Sequence, residues 1–363
     1  MKIVVTGTRG IPNVMGGVET HCEELFPRIA KSGVGVTIIR RASYVHDCLT
    51  EWNGVKLLDV AAPKRKSFEA IIHTFRAIHE AKRLKADILH IHAIGPAMLV
   101  PYARLLGMKV VFTHHGPDYD RDKWGFFAKT MLKFGERMGC MFADEVIVIS
   151  DVIRKLIAKK YGCTEHVHLI YNGVPKPDKC DNPQYFEELG IEKGKYILAM
   201  CRFVPEKNLH HLVDAFERID TKGCKLVLAG DTDFEDDYSR SLKEKARGCG
   251  VVLTGFVKGR KLHSLLTHCR CFSLPSSHEG LPIALLEAMS YGAKVVVSDI
   301  PANLEVGLEK SCYFQVGNVK ILAEKLQKVI DDDVCKIDYD ISKYDWDIIA
   351  GQVLSVYEHL MKE

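Results

Sequence analysis

Residues 275–289 read Pro-Ser-Ser-His-Glu-Gly-Leu-Pro-Ile-Ala-Leu-Leu-Glu-Ala-Met, a stretch that carries two carboxylates, Glu279 and Glu287. The pattern is a loop running into a helix. Pro282 suits the first helical turn, where its missing N–H costs nothing, and the amides of neighbours such as Gly280 and Leu281 are left to meet a phosphate. Glu287 falls a turn or more into the helix among Leu and Ala, and a charge in such surroundings needs a partner. A ribose diol is one, because a carboxylate accepts from both hydroxyls. Arg202 and Lys207, within Cys201-Arg-Phe-Val-Pro-Glu-Lys-Asn208, follow a strand-like segment and precede a helix. Two cations beside a helix N-terminus suit a pyrophosphate, Arg gripping oxygens bidentately and Lys acting as a point charge. Taken alone, the pair also reads as a solvated basic turn.

The first half offers a second set. Gly7-Thr-Arg-Gly-Ile-Pro12 is followed by Gly16-Gly17-Val18-Glu19 at the start of a helix. Glycines there let backbone amides approach an anion at a positive helix terminus. The spacing is not GxGxxG, so a dinucleotide fingerprint is not supported. Thr113-His114-His115-Gly116-Pro117-Asp118 places two imidazoles and a carboxylate at a strand end, where one ring can point outward to fix a sugar hydroxyl. A metal would need a third ligand at a definite spacing; His90 and His92 sit on another strand, so no metal is expected. Asp231-Thr232-Asp233 spells DxD but follows Leu228-Ala229-Gly230 at a strand end, which makes it a nucleotide-side loop rather than a metal site. The 12 cysteines are scattered, only Cys269 and Cys271 lying close, so reduced structural thiols are expected.

Positioning these residues takes two α/β halves. Val- and Ile-rich runs at 2–6, 36–40, 55–60, 87–92, 109–113, 145–149 and 167–171 alternate with amphipathic stretches at 18–31, 68–85 and 122–139. Nearly continuous apolar strands are what a parallel sheet covered on both faces requires. Asn172 to Asp178, with two prolines and a glycine, breaks the pattern as a linker would, and strand-like runs resume at 195–200, 225–229, 251–254, 270–274 and 294–298. The boundaries are therefore 1–171 and 172–344, two doubly wound domains, as 363 residues lead one to expect. A last helical pattern in 345–363 has apolar residues at Trp346, Ile349, Val353, Val356, Tyr357 and Leu360 and should seal an apolar groove. Open α/β sheets bind ligands at the carboxyl ends of their strands, so two facing sheets make one cleft.

Composition narrows the partners. Residues 1–170 hold 25 Lys/Arg against 17 Asp/Glu and the remainder 25 against 30, so a net +3 divides into +8 and −5. An anionic partner of the first half follows: acidic lipid or a lipid-linked phosphate. Nucleic acid is excluded, because the charges are dispersed and no stacking aromatics accompany them. Lys64-Arg65-Lys66 ahead of the amphipathic stretch 68–85 points to peripheral contact with an anionic membrane. Met1 runs straight into a strand, without an apolar leader or an 18-residue apolar run, and the cytoplasm is the expected location.

Gly16-Gly-Val-Glu19, Arg202 with Pro205-Glu-Lys-Asn208, and the E-x7-E of Glu279 and Glu287 together resemble the group 1 retaining glycosyltransferases, also called family 4. Gly7 to Pro12 and His115-Gly-Pro-Asp118 with Trp124-Gly125 further resemble bacterial rhamnosyltransferases of surface-polysaccharide assembly. The resemblance implies a GT-B fold, two Rossmann-like domains facing across a cleft, with the C-terminal helix 345–363 crossing back to the first. It implies catalytic roles for His115 and Glu279, at the transferred sugar. Arg202, Lys207, Gly17, Gly280, Leu281 and Pro282 would take the donor diphosphate and Glu287 the ribose. Gly16, Gly17, Glu19 and Asp118 would form an acceptor-side loop. No cofactor is implied beyond the nucleoside diphosphate sugar, whose base (dTDP, UDP or GDP) stays open. The expected reaction moves a hexose or deoxyhexose, rhamnose first, to a saccharide or lipid-linked saccharide. The competing readings are a sugar-nucleotide epimerase of the same fold and a non-catalytic nucleotide-sugar-binding subunit.

Overall fold

A computed structural model describes residues 1–62, 69–120, 125–232, 235–332 and 336–362. Lys64, Arg65, Lys66, Phe68, Trp124 and Asp233 lie outside the described residues. The chain forms two units, Met1–Gly173 with Tyr344–Glu363, and Val174–Lys343.

In the first unit the strands are β1 (Lys2–Thr6), β2 (Gly35–Arg41), β3 (Glu51–Trp52), β4 (Val55–Val60), β5 (Ile88–His92), β6 (Lys109–His114), β7 (Glu145–Val148) and β8 (Val167–Leu169). The helices are α1 (Gly17–Lys31), α2 (Glu69–Arg83), α3 (Val100–Leu105), α4 (Phe126–Phe142) and α5 (Asp151–Tyr161). The sheet order is β3-β4-β2-β1-β5-β6-β7-β8, parallel except for β3 on β4. β1, β5, β6 and β7 are buried almost throughout, as strands covered on both faces must be. β3 was missed in the sequence, although Asn53 and Gly54, both at positive φ, form the two-residue turn that joins it to β4.

The second unit has β9 (Tyr196–Met200), β10 (Lys225–Ala229), β11 (Val252–Gly255), β12 (Cys271–Leu274), β13 (Lys294–Ser298) and β14 (Tyr313–Phe314). Its helices are α6 (Pro183–Leu189), α7 (Leu209–Phe216), α8 (Asp237–Gly248), α9 (Gly259–His268), α10 (Ile283–Ser290), α11 (Pro301–Leu304) and α12 (Val319–Asp331). The parallel order β11-β10-β9-β12-β13-β14 reverses direction between β9 and β12. The matching reversal in the first sheet falls between β1 and β5. Those are the places where the loops beyond the strands part and a ligand can enter.

The last helix, α13 (Trp346–Lys362), belongs to the first unit. Trp346, Ile349, Val353, Val356, Tyr357 and Leu360 enter one core with Leu25, Phe26 and Ile29 of α1. Polar ties fix its register: Arg28 Nε donates to Asp347 at 3.0 Å, Lys109 Nζ to the Leu360 carbonyl at 2.6 Å, and the Tyr357 hydroxyl meets His90 Nδ1 at 2.5 Å. The boundary expected after residue 171 moves to Gly173. Asn172 is bonded to His21 of α1, and Gly173 lies so close to the Trp346 indole that a Cβ would stand 2.4 Å from it.

Candidate functional site

In the second unit the loops beyond β9 and β12 are neighbours because their strands pair. The Glu206 carbonyl accepts from Ser277 N at 2.9 Å, and Asn208 Nδ2 donates to the Pro275 carbonyl at 3.2 Å. These bonds bring Lys207 Nζ to Glu279 Oε1 at 2.5 Å, with 17% and 11% of the two side chains exposed. Burial works against the Glu279 charge, but Lys207 overcomes it and holds the carboxyl below its usual range. Arg202 lies half-buried in the same β9 loop. Gly280 and Leu281 lead into Pro282, which caps α10 rather than occupying its first turn.

Glu287 differs from its sequence reading. It is not enclosed among Leu and Ala; it shares an accessible stripe of α10 with Ala284 and Ser290, three residues to either side, while Leu285, Leu286, Ala288 and Met289 face the core. Helical periodicity frees this one position of an otherwise apolar segment. Asp231 is bound to Lys243 at 2.8 Å, as an anchored loop residue would be.

In the first unit, Glu19 also departs from expectation. Its carboxylate is 5% exposed and accepts from the Arg9 amide at 3.0 Å, from Arg9 Nη2 at 3.0 Å and from Thr8 Oγ1 at 3.3 Å. It clasps the loop after β1 to the start of α1. Gly16 is required by that clasp: at φ 149, a Cβ would stand 2.1 Å from Glu19 Oε2 and 2.4 Å from Arg9 Nη2. Gly17 opens α1 and is exposed, its surroundings clear.

The two histidines at the end of β6 diverge. His114 is fully buried, its Nε2 2.9 Å from Glu136 Oε1 and its Nδ1 accepting from Gly116 N at 3.0 Å. Glu136 also accepts from Tyr119 and Tyr161 hydroxyls at 2.9 and 2.7 Å. Burial would raise its pKa, but the bonds from His114 and Tyr161, with the Lys160 charge, hold it at about 2. His115 turns the other way, Nε2 lying 2.9 Å from His92 Nδ1. Asp118 begins a short 3-10 turn just beyond it. His92 does reach His115, although the sequence reading set it aside as lying on another strand, and His21 of α1, which that reading did not consider, joins them. The period-two pair His90 and His92 on β5 was the available signal.

Residues 15–176 match Glycosyltransferase Family 4, and residues 181–345 match the glycosyl transferases group 1. Both halves of the chain thus match glycosyltransferase models, which together support a group 1 glycosyltransferase. An uncharacterized glycosyltransferase of Methanocaldococcus jannaschii is 25% identical over 100% of this chain and 99% of its own length. The O-antigen chain mannosyltransferase of Salmonella typhimurium is 24% identical over 63% of each chain. Among solved structures, Anabaena HepE in complex with UDP-glucose superposes with a TM-score of 0.75 at 19% identity, covering 100% of this chain and 98% of that one. The two parallel-sheet units are those of the GT-B fold.

Proposed function

We propose that the protein transfers a hexose or deoxyhexose from a nucleoside diphosphate sugar to a hydroxyl of a saccharide or lipid-linked saccharide, in the cytoplasm, during cell-surface glycan assembly. The observation that carries the proposal is the Lys207–Glu279 pair, on the loops after β9 and β12 where the second sheet reverses direction, with Arg202 in the first of those loops. Cations and helix-terminal amides there neutralise a leaving diphosphate without a metal. Retention follows by front-face attack. The bond from the anomeric carbon to the diphosphate breaks, the acceptor oxygen bonds to the same face, and its proton passes to the leaving phosphate. Rhamnose from dTDP is the first donor to try, on the strength of the Gly7 to Pro12 motif; the HepE complex supports UDP sugars as the next. An epimerase would need two free carboxylates at one sugar carbon, whereas Glu279 is held by Lys207 and Glu287 stands a turn along α10.

A thermal-shift screen of nucleoside diphosphates and their sugars tests the donor site. The correct diphosphate at 100 times its Kd adds about 2.7 kcal/mol of stability. Turnover with the correct donor should survive EDTA. Activity lost in EDTA and restored by magnesium or manganese would overturn the metal-free reading.

A peripheral seat on an anionic membrane belongs to the same proposal, now through α4. Phe126, Phe127 and Phe134 are 89%, 67% and 50% exposed on that helix, interleaved with exposed Lys133 and Arg137. Exposed aromatics among basic residues suit the boundary between headgroups and acyl chains. No helix among the described residues is long and apolar enough to cross a membrane. The protein should sediment with phosphatidylglycerol vesicles at low salt, and Phe126→Ser combined with Phe127→Ser should abolish this. Failure of the unaltered protein to sediment at low salt would end the idea.

A further inference from the structure

Three imidazoles from distant parts of the sequence meet in the first unit. His21 comes from α1, His92 from the end of β5 and His115 from just beyond β6, and one ring nitrogen of each lies within 4.8 Å of the others. The ring centroids are 4.9 Å (His21–His115), 5.2 Å (His92–His115) and 5.5 Å (His21–His92) apart. Around a tetrahedral zinc ion with nitrogen at about 2.0–2.1 Å, ligating nitrogens stand about 3.3 Å apart and ring centres about 5 Å apart. The rings already have that spacing.

The polar surroundings point the same way. His21 Nδ1 is 2.9 Å from Asn172 Oδ1, an acceptor, so Nδ1 carries the hydrogen and Nε2 its lone pair. Nε2 is buried without a hydrogen-bond partner. A hydrogen bond at the far ring nitrogen is how metal-ligating histidines are usually oriented. His92 shares one hydrogen with His115 across 2.9 Å, and its Nε2 is likewise buried and unpartnered. Leaving His21 Nε2 unsatisfied is costly, and a cation among the three rings would relieve the cost. Burial keeps all three rings in the neutral, ligating form: His21 is lowered to about 4, and His92 and His115 well below the ordinary value. His115 is the least buried of the three. His90 stacks on His92 but takes no part, its nitrogens being engaged by Tyr357 and Thr113.

We propose that His21, His92 and His115 bind one transition-metal ion, zinc foremost, and that the bound ion inhibits glycosyl transfer. A set of three nitrogens suits zinc, copper or nickel and disfavours magnesium or calcium, which take oxygen ligands. The ion is not the catalytic metal that some transferases use; it occupies imidazoles that transfer needs uncoordinated. The inhibition rests on His115 serving the proposed transfer, whereas the binding does not.

The test uses metal-stripped full-length protein without any sugar nucleotide, titrated with cobalt(II) and zinc and followed by visible absorbance and calorimetry. One cobalt per chain should give the strong absorbance of four-coordinate cobalt, bleached by zinc and untouched by magnesium. Asn172→Ala should weaken zinc roughly 10- to 100-fold, and His92→Gln by more than that. His115→Asn, at the least buried of the three positions, serves if His92→Gln fails to fold as judged by metal-free thermal unfolding. Saturating zinc should stop turnover and EDTA restore it. Absence of cobalt absorbance and zinc heat on the folded protein would overturn the site, as would unaltered affinity in the folded histidine variants. Zinc binding with undiminished turnover would overturn the inhibition while leaving the transferase reading intact. Failure of the stripped protein to use any sugar nucleotide would count against that reading, and the binding result would stand.

Discussion

Glu279→Gln should keep its affinity for free nucleoside diphosphate while turnover falls roughly 10²- to 10³-fold, and Glu287→Ala should lose nucleotide affinity first. The two carboxylates share one motif but not one environment. Glu279 is buried against Lys207, and an amide in its place keeps the shape and releases the ammonium toward whatever anion approaches. Diphosphate binding should therefore hold or tighten. What is lost is the negative charge beside a sugar that becomes cationic at the transition state, an interaction absent from the complex with bare nucleotide. Glu287 sits on the open stripe of α10. Two hydrogen bonds from a ribose diol to an ionised carboxylate are each worth roughly 1.5–3 kcal/mol before water replaces them. Free diphosphate should then bind at least about tenfold more weakly, a loss of about 1.4 kcal/mol. Calorimetry with nucleotide alone, beside turnover assays on both variants, makes the comparison. Equal loss of nucleotide affinity in both, with folding intact, would refute the division of roles.

Trp346→Ala should cost about 3–5 kcal/mol and lower the unfolding temperature of the first unit by roughly 6–20 °C. The indole is 1% exposed and packs against Gly173 and the His21 ring, at the point where the chain returns to the first unit. The second unit has its own core, built from β9, β10, β12, α7 and α12 residues, and its transition should stay in place. Differential scanning calorimetry distinguishes the two. A single transition shifted as a whole would show instead that the units unfold together.

Much of this architecture was legible in the sequence because its signals are local. Runs such as Ile3-Val-Val5 or Val295-Val-Val297 can hardly be anything but covered parallel strands, and the tail's six apolar positions name the buried face of α13. β3 and β14 were missed because two residues show no periodicity. The Lys207–Glu279 contact was not read from the sequence, where the two residues had separate roles, because it depends on β9 and β12 being neighbours although 70 residues separate them. Glu19 looked available for a ligand, yet Arg9, ten residues earlier, already holds it. The meeting of His21, His92 and His115 needed three elements in register, and the period-two pair His90 and His92 on β5 could signal only one of them.

The return of α13 has a consequence for synthesis. Residues 1–173 leave the ribosome first, but the groove on α1 that completes their core stays open until residues 344–362 emerge, after the whole second unit. At roughly 5–20 residues per second, the delay is on the order of 10–30 s. Throughout it, Leu25, Phe26 and Ile29 lack the part of their cover that α13 supplies, so the half of the chain made first is the half that finishes folding last.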